Sequence, residues 1–106
     1  MSEYVVVFMT AASVQEAETI AHTLVEERLA ACVNIVPSIT SVYRWEGATH
    51  HDQETLLIAK TRRSVFSRLA QRVKEIHSYE TPEVIAVEVE DGLPAYLSWI
   101  AQEVPQ

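Results

Sequence analysis

The densest group of side chains suited to metal binding lies in the middle of the chain, at His50-His51-Asp52 with Glu54 shortly after. In an extended segment His50 and Asp52 lie on one face and His51 on the other, because side chains alternate along a strand. This spacing predicts at most a surface site for a transition-metal cation that accepts imidazole ligands. The alternative is a solvated hairpin tip that binds nothing.

A second group of polar and aromatic side chains lies in residues 77–83, with the sequence HSYETPE. We interpret this segment as a loop between a helix and the last strand. His77, Tyr79 and Glu80 would then face a cleft and form a site. The alternative for His77 is a structural role, because an imidazole in the last turn of a helix interacts favourably with the helix C-terminus.

The chain lacks the residue patterns of catalysis. Cys32 is the single cysteine, and a thiolate nucleophile needs an electropositive setting and a neighbouring base. Nothing near Cys32 in sequence supplies these, so we predict a buried structural cysteine. The turn after the first predicted strand, residues 10–13, is not a glycine-rich phosphate loop. We therefore expect that the protein is not an enzyme.

Length and composition limit the class of protein further. The chain has 106 residues, of which 48% are hydrophobic, and we predict one domain over residues 1–106. A net charge of −7 argues against nucleic-acid binding and permits the binding of cations. Residues 1–9 lack the basic region of a signal peptide, and no apolar stretch reaches about 18 residues. We expect a soluble cytoplasmic protein without membrane contact.

The hydrophobic pattern predicts the order β-α-β-β-α-β, followed by a short helix or tail. The predicted strands are residues 5–9, 32–45, 55–61 and 84–90, the first of them buried on both faces. The predicted helices cover residues 13 to about 29, with a capping box at Ser13 and Glu16, and a segment capped by Ser64. The tail covers residues 93–104. This order is typical of the α+β ferredoxin-like fold, with an antiparallel sheet and two helices on one face.

The second predicted strand is too long for a small globule. Fourteen residues from Cys32 to Trp45 would span about 46 Å at about 3.3 Å per residue, so we expect the hairpin to overhang its own domain or bend. Pro37 favours a bulge. By simple alternation one face would carry Val33, Ile35, Ile39, Tyr43 and Trp45. We expect such a hairpin to pair with another copy of the chain, whereas the alternative is a shorter strand and an ordinary loop.

Six of the eight basic residues lie between Lys60 and Lys74. A concentration of positive charge attracts an anionic ligand or an acidic partner surface. The alternative is the solvated face of a helix.

Two runs of the chain, residues 30–37 (AACVNIVP) and 41–47 (SVYRWEG), resemble motifs of the CutA divalent-cation tolerance family. Glu54, Lys60-Thr61, residues 77–83 and the pair Tyr96 and Trp99 continue the match. The resemblance covers nearly the whole chain in order. It implies a ferredoxin-like subunit in a homotrimer similar to the PII signalling proteins, a hairpin that pairs between subunits, and a link to tolerance of divalent metals, copper above all.

The family's proposed copper ligands are a cysteine at the end of the first strand and two adjacent histidines. This chain has Met9 at the first position, Ile76 at the second and His77 at the third. The thioether of Met9 is a soft ligand that suits Cu(I), but it is not a thiolate for Cu(II) or zinc. We therefore expect weak, pH-dependent copper binding that His50 and His51 carry more than His77 does.

Together these observations predict a divalent-cation tolerance protein that binds metal ions without catalysis. No cofactor is required, and copper or another divalent cation is weakly bound. We expect Tyr43, Trp45 and Trp99 at the trimer interface. The alternative is a PII-like trimeric sensor that binds a small anionic ligand in clefts between subunits, lined by Lys60, Tyr79 and Glu80.

Overall fold

The computed structural model describes residues 2–105 and contains one four-stranded antiparallel sheet. The elements are β1 (Tyr4–Ala11), α1 (Val14–Glu26), β2 (Cys32–Trp45), β3 (Ala48–Arg62), a 3-10 turn (Arg63–Val65), α2 (Phe66–Ile76), β4 (Val84–Glu88) and α3 (Pro94–Glu103). The strand order is β2-β3-β1-β4. This arrangement confirms the predicted ferredoxin-like fold.

The core lies on one face of the sheet. Val5, Val7 and Met9 are at most 2% exposed, whereas Val6 and Phe8, which point to the other face, are half-buried. The expectation that β1 is buried on both faces was therefore wrong for the single chain. Its unbroken apolar sequence fits two covered faces, but α1 and α2 cover only the first.

The second face, which we call the open face, keeps apolar side chains exposed. Ile85 and Val87 of β4 lie in register with Phe8 and Val6. They are 55% and 52% exposed, so no helix among residues 2–105 covers this part of the sheet. Exposed contiguous apolar surface of this kind marks an interaction site more often than free surface.

Helix α1 begins as the sequence predicts and ends earlier. The Ser13 hydroxyl accepts a hydrogen bond from the Glu16 amide at 3.1 Å, which confirms the N-terminal cap. The helix ends at Glu26 rather than near residue 29 because Arg28 has a left-handed backbone, with φ of 59°. A residue in this conformation cannot continue a right-handed helix.

The other predicted boundaries differ by a few residues. Ser64 lies in the 3-10 turn, and α2 begins at Phe66 without a side-chain cap, so the predicted Ser64 cap was wrong. Strand β4 stops at Glu88, and α3 covers Pro94–Glu103 of the predicted tail. The Arg62 guanidinium holds the end of α3 by donating to the carbonyl of Val104 at 3.1 Å.

Strands β2 and β3 form the long hairpin. Strand β2 has the predicted bounds, but β3 begins at Ala48 rather than Thr55. Residues 49–53 are polar on both faces, so no hydrophobic alternation marks this part of the strand, and only its pairing with β2 identifies it. Glu46 and Gly47 turn the chain with φ of 51° and 81°, as tight hairpins require. The described chain extends over 44 × 26 × 22 Å.

A β-bulge divides the hairpin in two. Val36 pairs with Leu56 and Ile39 with Glu54, so two residues of β2, Pro37 and Ser38, stand opposite one of β3. Side chains before and after the bulge therefore alternate out of step. The predicted common face was wrong, because Val33 and Ile35 pack against the core and the residues after the bulge face the other side of the sheet. Ile39, Ser41, Tyr43 and Trp45 lie on the side of the open face. We call residues 39–54 the hairpin arm.

Candidate functional site

The loop of residues 77–83 is fixed at its start by His77. The imidazole is fully buried, and its Nε2 donates to the carbonyl of Thr10 at 2.7 Å. Its Nδ1 accepts the Tyr79 amide at 3.0 Å. Both ring nitrogens are therefore used by the backbone.

Glu16 joins the same loop to the start of α1. Its carboxylate accepts hydrogen bonds from the Ser78 amide at 2.7 Å, the Ser78 hydroxyl at 3.0 Å and the Ala12 amide at 3.1 Å. Burial acts to raise the pKa of Glu16, but these hydrogen bonds and the neighbouring His77 outweigh it, so the pKa is lowered overall. The ionised Glu16 carboxylate therefore connects the start of α1 to the 77–83 loop.

Tyr79 joins the loop to the hairpin arm. Its hydroxyl donates to Glu54 Oε2 at 2.7 Å, and its ring lies 4.7 Å from that of His77. Burial, and then the hydrogen bond to the Glu54 carboxylate, raise the pKa of Tyr79. The hydroxyl therefore stays protonated and keeps donating at neutral pH.

The arm and the loop enclose a cleft of about 780 Å³. Its walls include aromatic, hydroxyl and carboxylate groups. The lining residues are Thr10, Ser41, Val42, Tyr43, Trp45, Glu46, Glu54, Tyr79, Glu80, Thr81 and Glu83. We call this space the arm cleft.

Lys60 does not join Tyr79 and Glu80 in the arm cleft. Its ammonium donates to the side-chain carbonyl of Asn34, in the part of the sheet where β2 and β3 pair before the bulge. The charged residues lining the arm cleft, among residues 2–105, are all glutamates. The cleft of the single chain therefore favours cations over anions.

The imidazoles of the hairpin arm are accessible. His50 and Asp52 lie on one face and His51 on the other, as predicted, since His50 pairs with Tyr43 and His51 with Val42. The His50 ring stacks on that of Tyr43 with centroids 5.4 Å apart, and its Nε2 lies 3.3 Å from the Trp45 carbonyl oxygen.

The structure does not assemble the Met9 and His77 pair as a ready metal site. Met9 is fully buried in the core, and both nitrogens of His77 are hydrogen-bonded. Throughout residues 2–105, no three His, Cys, Asp or Glu side chains are grouped so that they could hold one metal ion.

The expected interface residues are partly exposed and lie apart in sequence. Tyr43 and Trp45 are 41% and 50% exposed on the hairpin arm. Trp99 is half-buried on α3, with its ring 5.5 Å from that of Tyr96.

Cys32 is half-buried, so the prediction of a buried cysteine was wrong for the single chain. The reason is that β2 is a strand at the edge of the sheet.

Sequence reasoning missed the roles of Glu16 and Glu54 in this site. The sequence identified Glu16 only as half of a capping box, and Glu54 only as a carboxylate near two histidines and as one residue of the family resemblance. The partners of both lie in the 77–83 loop, 62 and 25 residues away in sequence. A short-range pattern carries no signal for contacts at that separation.

No helix in the described part of the chain has the length and apolar character needed to cross a membrane.

Comparison with known proteins gives a consistent set of relatives. Residues 5–103 match the family described as CutA1 divalent ion tolerance protein. The "Divalent-cation tolerance protein CutA" of Thermus thermophilus is 50% identical over 97 residues, which cover 92% of this chain and 94% of that protein. The human "Protein CutA" is 45% identical over 95 residues, which cover 90% of this chain and 53% of that protein. The chain thus spans about half the length of its mammalian relatives.

Solved structures show the same backbone. The crystal structure of CutA1 from Oryza sativa has a TM-score of 0.96 at 42% identity, covering 99% of this chain and 96% of that one. The names of other relatives place them in different compartments. They include a chloroplastic CutA of Arabidopsis thaliana and a periplasmic CutA of Archaeoglobus fulgidus.

Proposed function

The chain belongs to the CutA1 divalent ion tolerance protein family, and from this membership we propose that it binds divalent cations, copper above all, as a homotrimer without catalysing a reaction. Its relatives are named for tolerance of divalent cations and not for an enzymatic activity. The proposed location is the cytoplasm, although the names of relatives cover several compartments.

The metal site that we propose is formed by the imidazoles of the hairpin arm. His51 is exposed and has no hydrogen bond or ion pair among residues 2–105, and this free imidazole is the observation that carries the proposal. Neutral imidazole is a good ligand for copper. Because His50 and His51 lie on opposite faces of β3 and no three ligating side chains of residues 2–105 are grouped, water or another copy must complete the coordination at each imidazole, and the binding is weak.

Copper titration of matched variants tests this site. Isothermal calorimetry with Cu(II) at pH 7 is compared for the unaltered protein, His50→Ala/His51→Ala, His77→Ala and the control His22→Ala, which removes an exposed imidazole on α1. We expect the double variant alone to lose most of the binding. Binding of the unaltered protein should weaken on acidification, because a protonated imidazole cannot bind a metal ion. Loss of binding in His77→Ala alone would contradict the proposal.

The proposed trimer is supported by the exposed apolar groups of two surfaces. Ile85 and Val87 are exposed on the open face, and Tyr43 and Trp45 are exposed on the hairpin arm. Burial of such surface between copies is favourable, at about 25 cal/mol per Å². In this proposal a copy of the chain covers both surfaces.

Equilibrium sedimentation tests the assembly. We expect a mass of three times 11.9 kDa at micromolar concentration, and a smaller mass for Ile85→Lys/Val87→Lys. The control Val14→Lys/Leu93→Lys also charges two exposed apolar positions and should leave the mass unchanged. A stable monomer of the unaltered protein would contradict the trimer.

The alternative, a sensor of small anionic ligands, receives less support. It requires positive charge beside Tyr79 and Glu80, but the arm cleft is lined by four glutamates. A carboxylate-lined cleft repels an anion. We therefore place the divalent cation first.

A further inference from the structure

Helix α3 depends on the rest of the chain for its stability. It has ten residues, whereas an isolated helix shorter than about 12–15 residues is marginal in water. Its N-cap residue, Leu93, makes no capping hydrogen bond through its side chain, and its last turn carries no basic residue. The segment is therefore helical because it packs against the sheet.

The apolar contact that holds α3 lies at one end of the helix. Ile100 and Val104 are buried in the core, whereas Tyr96, in the first turn, is 41% exposed. The ion pair between Arg28 and Glu103 has a distance of 4.0 Å between two exposed side chains, and such pairs contribute little. The last turn of α3 therefore determines whether the helix stays packed.

Arg62, at the end of β3, supplies the polar contacts of this last turn. The final carbonyl groups of a helix have no partner within the helix. The Arg62 guanidinium donates from Nη1 to the carbonyls of Ala101 at 3.3 Å and Val104 at 3.1 Å, and its positive charge lies where a helix C-terminus favours a cation. Its Nη2 donates to the carboxylate of Glu3, which fixes the guanidinium from the other side.

The packed position of α3 also carries a cost at the same side chain. The Arg62 side chain is 14% exposed, and its Nε is buried without an acceptor among residues 2–105. A buried donor without an acceptor is destabilising. Because α3 is one of the elements that cover the guanidinium, release of the helix returns this group to water and relieves the cost.

The connection between β4 and α3 permits such a release. Residues 89–93 have no regular secondary structure, and the Val89 amide donates to the carbonyl of Tyr4 at 3.0 Å, so the sheet holds the connection at its start. A Cβ atom at Gly92 would lie 3.1 Å from the Leu97 side chain, so glycine allows the packed helix to approach closely. Rotation beyond residue 89 moves α3 while the four strands stay paired.

We propose that α3 packs on and releases from the sheet as one unit, that Arg62 is the residue that holds it packed, and that packing positions Trp99 for assembly. Trp99 is half-buried on α3 and is one of the expected interface residues. The link to assembly rests on the proposed trimer, whereas the release of α3 does not. Coupling is reciprocal, so a trimer that forms only with packed helices also holds them packed.

Hydrogen exchange of the full chain, measured by mass spectrometry, tests the role of Arg62. Arg62→Met removes the guanidinium and keeps an unbranched side chain. Arg63→Met is the matched control, because Arg63 donates to the carbonyl of Ser2 at 2.9 Å and has no hydrogen bond to α3 among residues 2–105. We expect the amides of residues 97–104 to exchange about tenfold faster or more in Arg62→Met, with β1 and β3 unchanged.

Arg62→Lys keeps the charge but lacks the fork that reaches two carbonyls, and should give an intermediate exchange rate. Unchanged exchange of α3 in Arg62→Met would overturn the proposal. Equal acceleration in α3 and in the strands would also overturn it, because the effect would then be global unfolding.

Sedimentation of the same variants at several protein concentrations tests the link to assembly. We expect Arg62→Met to dissociate at a concentration about tenfold higher or more than the unaltered protein and Arg63→Met. Faster exchange of α3 with unchanged dissociation would overturn the link. A monomeric unaltered protein would contradict the proposed trimer and this link, whereas the exchange of α3 still decides the role of Arg62.

Discussion

The Tyr79 hydroxyl donates a 2.7 Å hydrogen bond to the carboxylate of Glu54, joining the 77–83 loop to the hairpin arm. The arm is not paired with β1 at this point, because the last pair between β1 and β3 is that of Ala11 with Thr55. The contact therefore fixes the angle between the arm and the rest of the chain. It also sets the width of the arm cleft, which the two residues line from opposite sides.

Removal of this hydroxyl should weaken the protein. Tyr79→Phe leaves the half-buried Glu54 carboxylate without its donor, and a hydrogen bond to a charged group contributes about 1.5–3 kcal/mol. We expect the free energy of unfolding, measured by urea denaturation, to fall by about 1–2 kcal/mol. Tyr96→Phe is the control, because the Tyr96 hydroxyl has no hydrogen bond among residues 2–105. Equal stability of the two variants would mean that the Glu54 contact contributes nothing.

Glu16→Gln should be destabilising in a pH-dependent way. The pKa of Glu16 in the folded chain is lowered from its ordinary value of 4.5, so its contribution is present above about pH 4.5 and lost as pH falls through the folded pKa. We expect a loss of about 1–2 kcal/mol at pH 7 and a smaller difference from the unaltered protein at pH 3.

Urea denaturation at the two pH values measures this difference. Glu18→Gln, on the exposed side of the same helix, is the matched control and should have little effect at either pH. A Glu16→Gln deficit that is the same at pH 3 and pH 7 would show that the ionised carboxylate is not the cause.

Trp45→Ala reports on the assembly rather than on the single chain. The side chain is 50% exposed, so the isolated chain loses little packing. If a copy covers the ring, truncation costs on the order of 3–5 kcal/mol by analogy with buried tryptophan. We expect a lower melting temperature and a smaller sedimentation mass, with Leu93→Ala, at a 71% exposed position off the arm, as the neutral control. An unchanged trimer mass would place Trp45 outside the interface.

Ser38→Gly should stabilise the chain. Ser38 has φ of 62°, a conformation that glycine adopts without the steric cost of a Cβ atom. We expect a gain of about 0.5–1 kcal/mol. Ser41→Gly, in the extended part of the same strand, should lose about 0.5–1 kcal/mol because glycine weakens a strand interior. Thermal denaturation distinguishes these opposite signs, and a loss of stability in both would contradict the assigned strain.

Most of the fold follows from local patterns. The apolar run of β1, the capping box at Ser13 and the length of β2 each depend on residues close in sequence, and each was predicted. The start of β3 at Ala48 was not, because its polar residues become a strand only through pairing with β2. The end of α1 was also missed, since the left-handed backbone of Arg28 has no signature in the side chain.

The candidate site was less predictable than the fold. The 77–83 loop could be identified by its composition, but its anchors Glu16 and Glu54 lie in other elements and meet it only through the tertiary arrangement. The cleft predicted for Lys60, Tyr79 and Glu80 lies between subunits, and within one chain Lys60 donates a hydrogen bond to Asn34. The net charge of a cleft depends on which charged side chains the fold brings to its walls, and the order of residues along the chain does not determine that.

The bulge at Pro37 and Ser38 shifts the alternation of side chains along β2 by one residue. One unmatched residue reverses the odd–even rule between the base of the hairpin and its arm, so that Ile35 and Ile39 face opposite ways although they are four residues apart. Deletion of one of these two residues would remove the bulge and leave Tyr43 opposite His50 and Trp45 opposite Ala48, so the arm would keep its facing. Within the arm, one residue added to each strand would turn every pair beyond it to the other side, so the arm can change its length and keep its facing only by two residues in each strand.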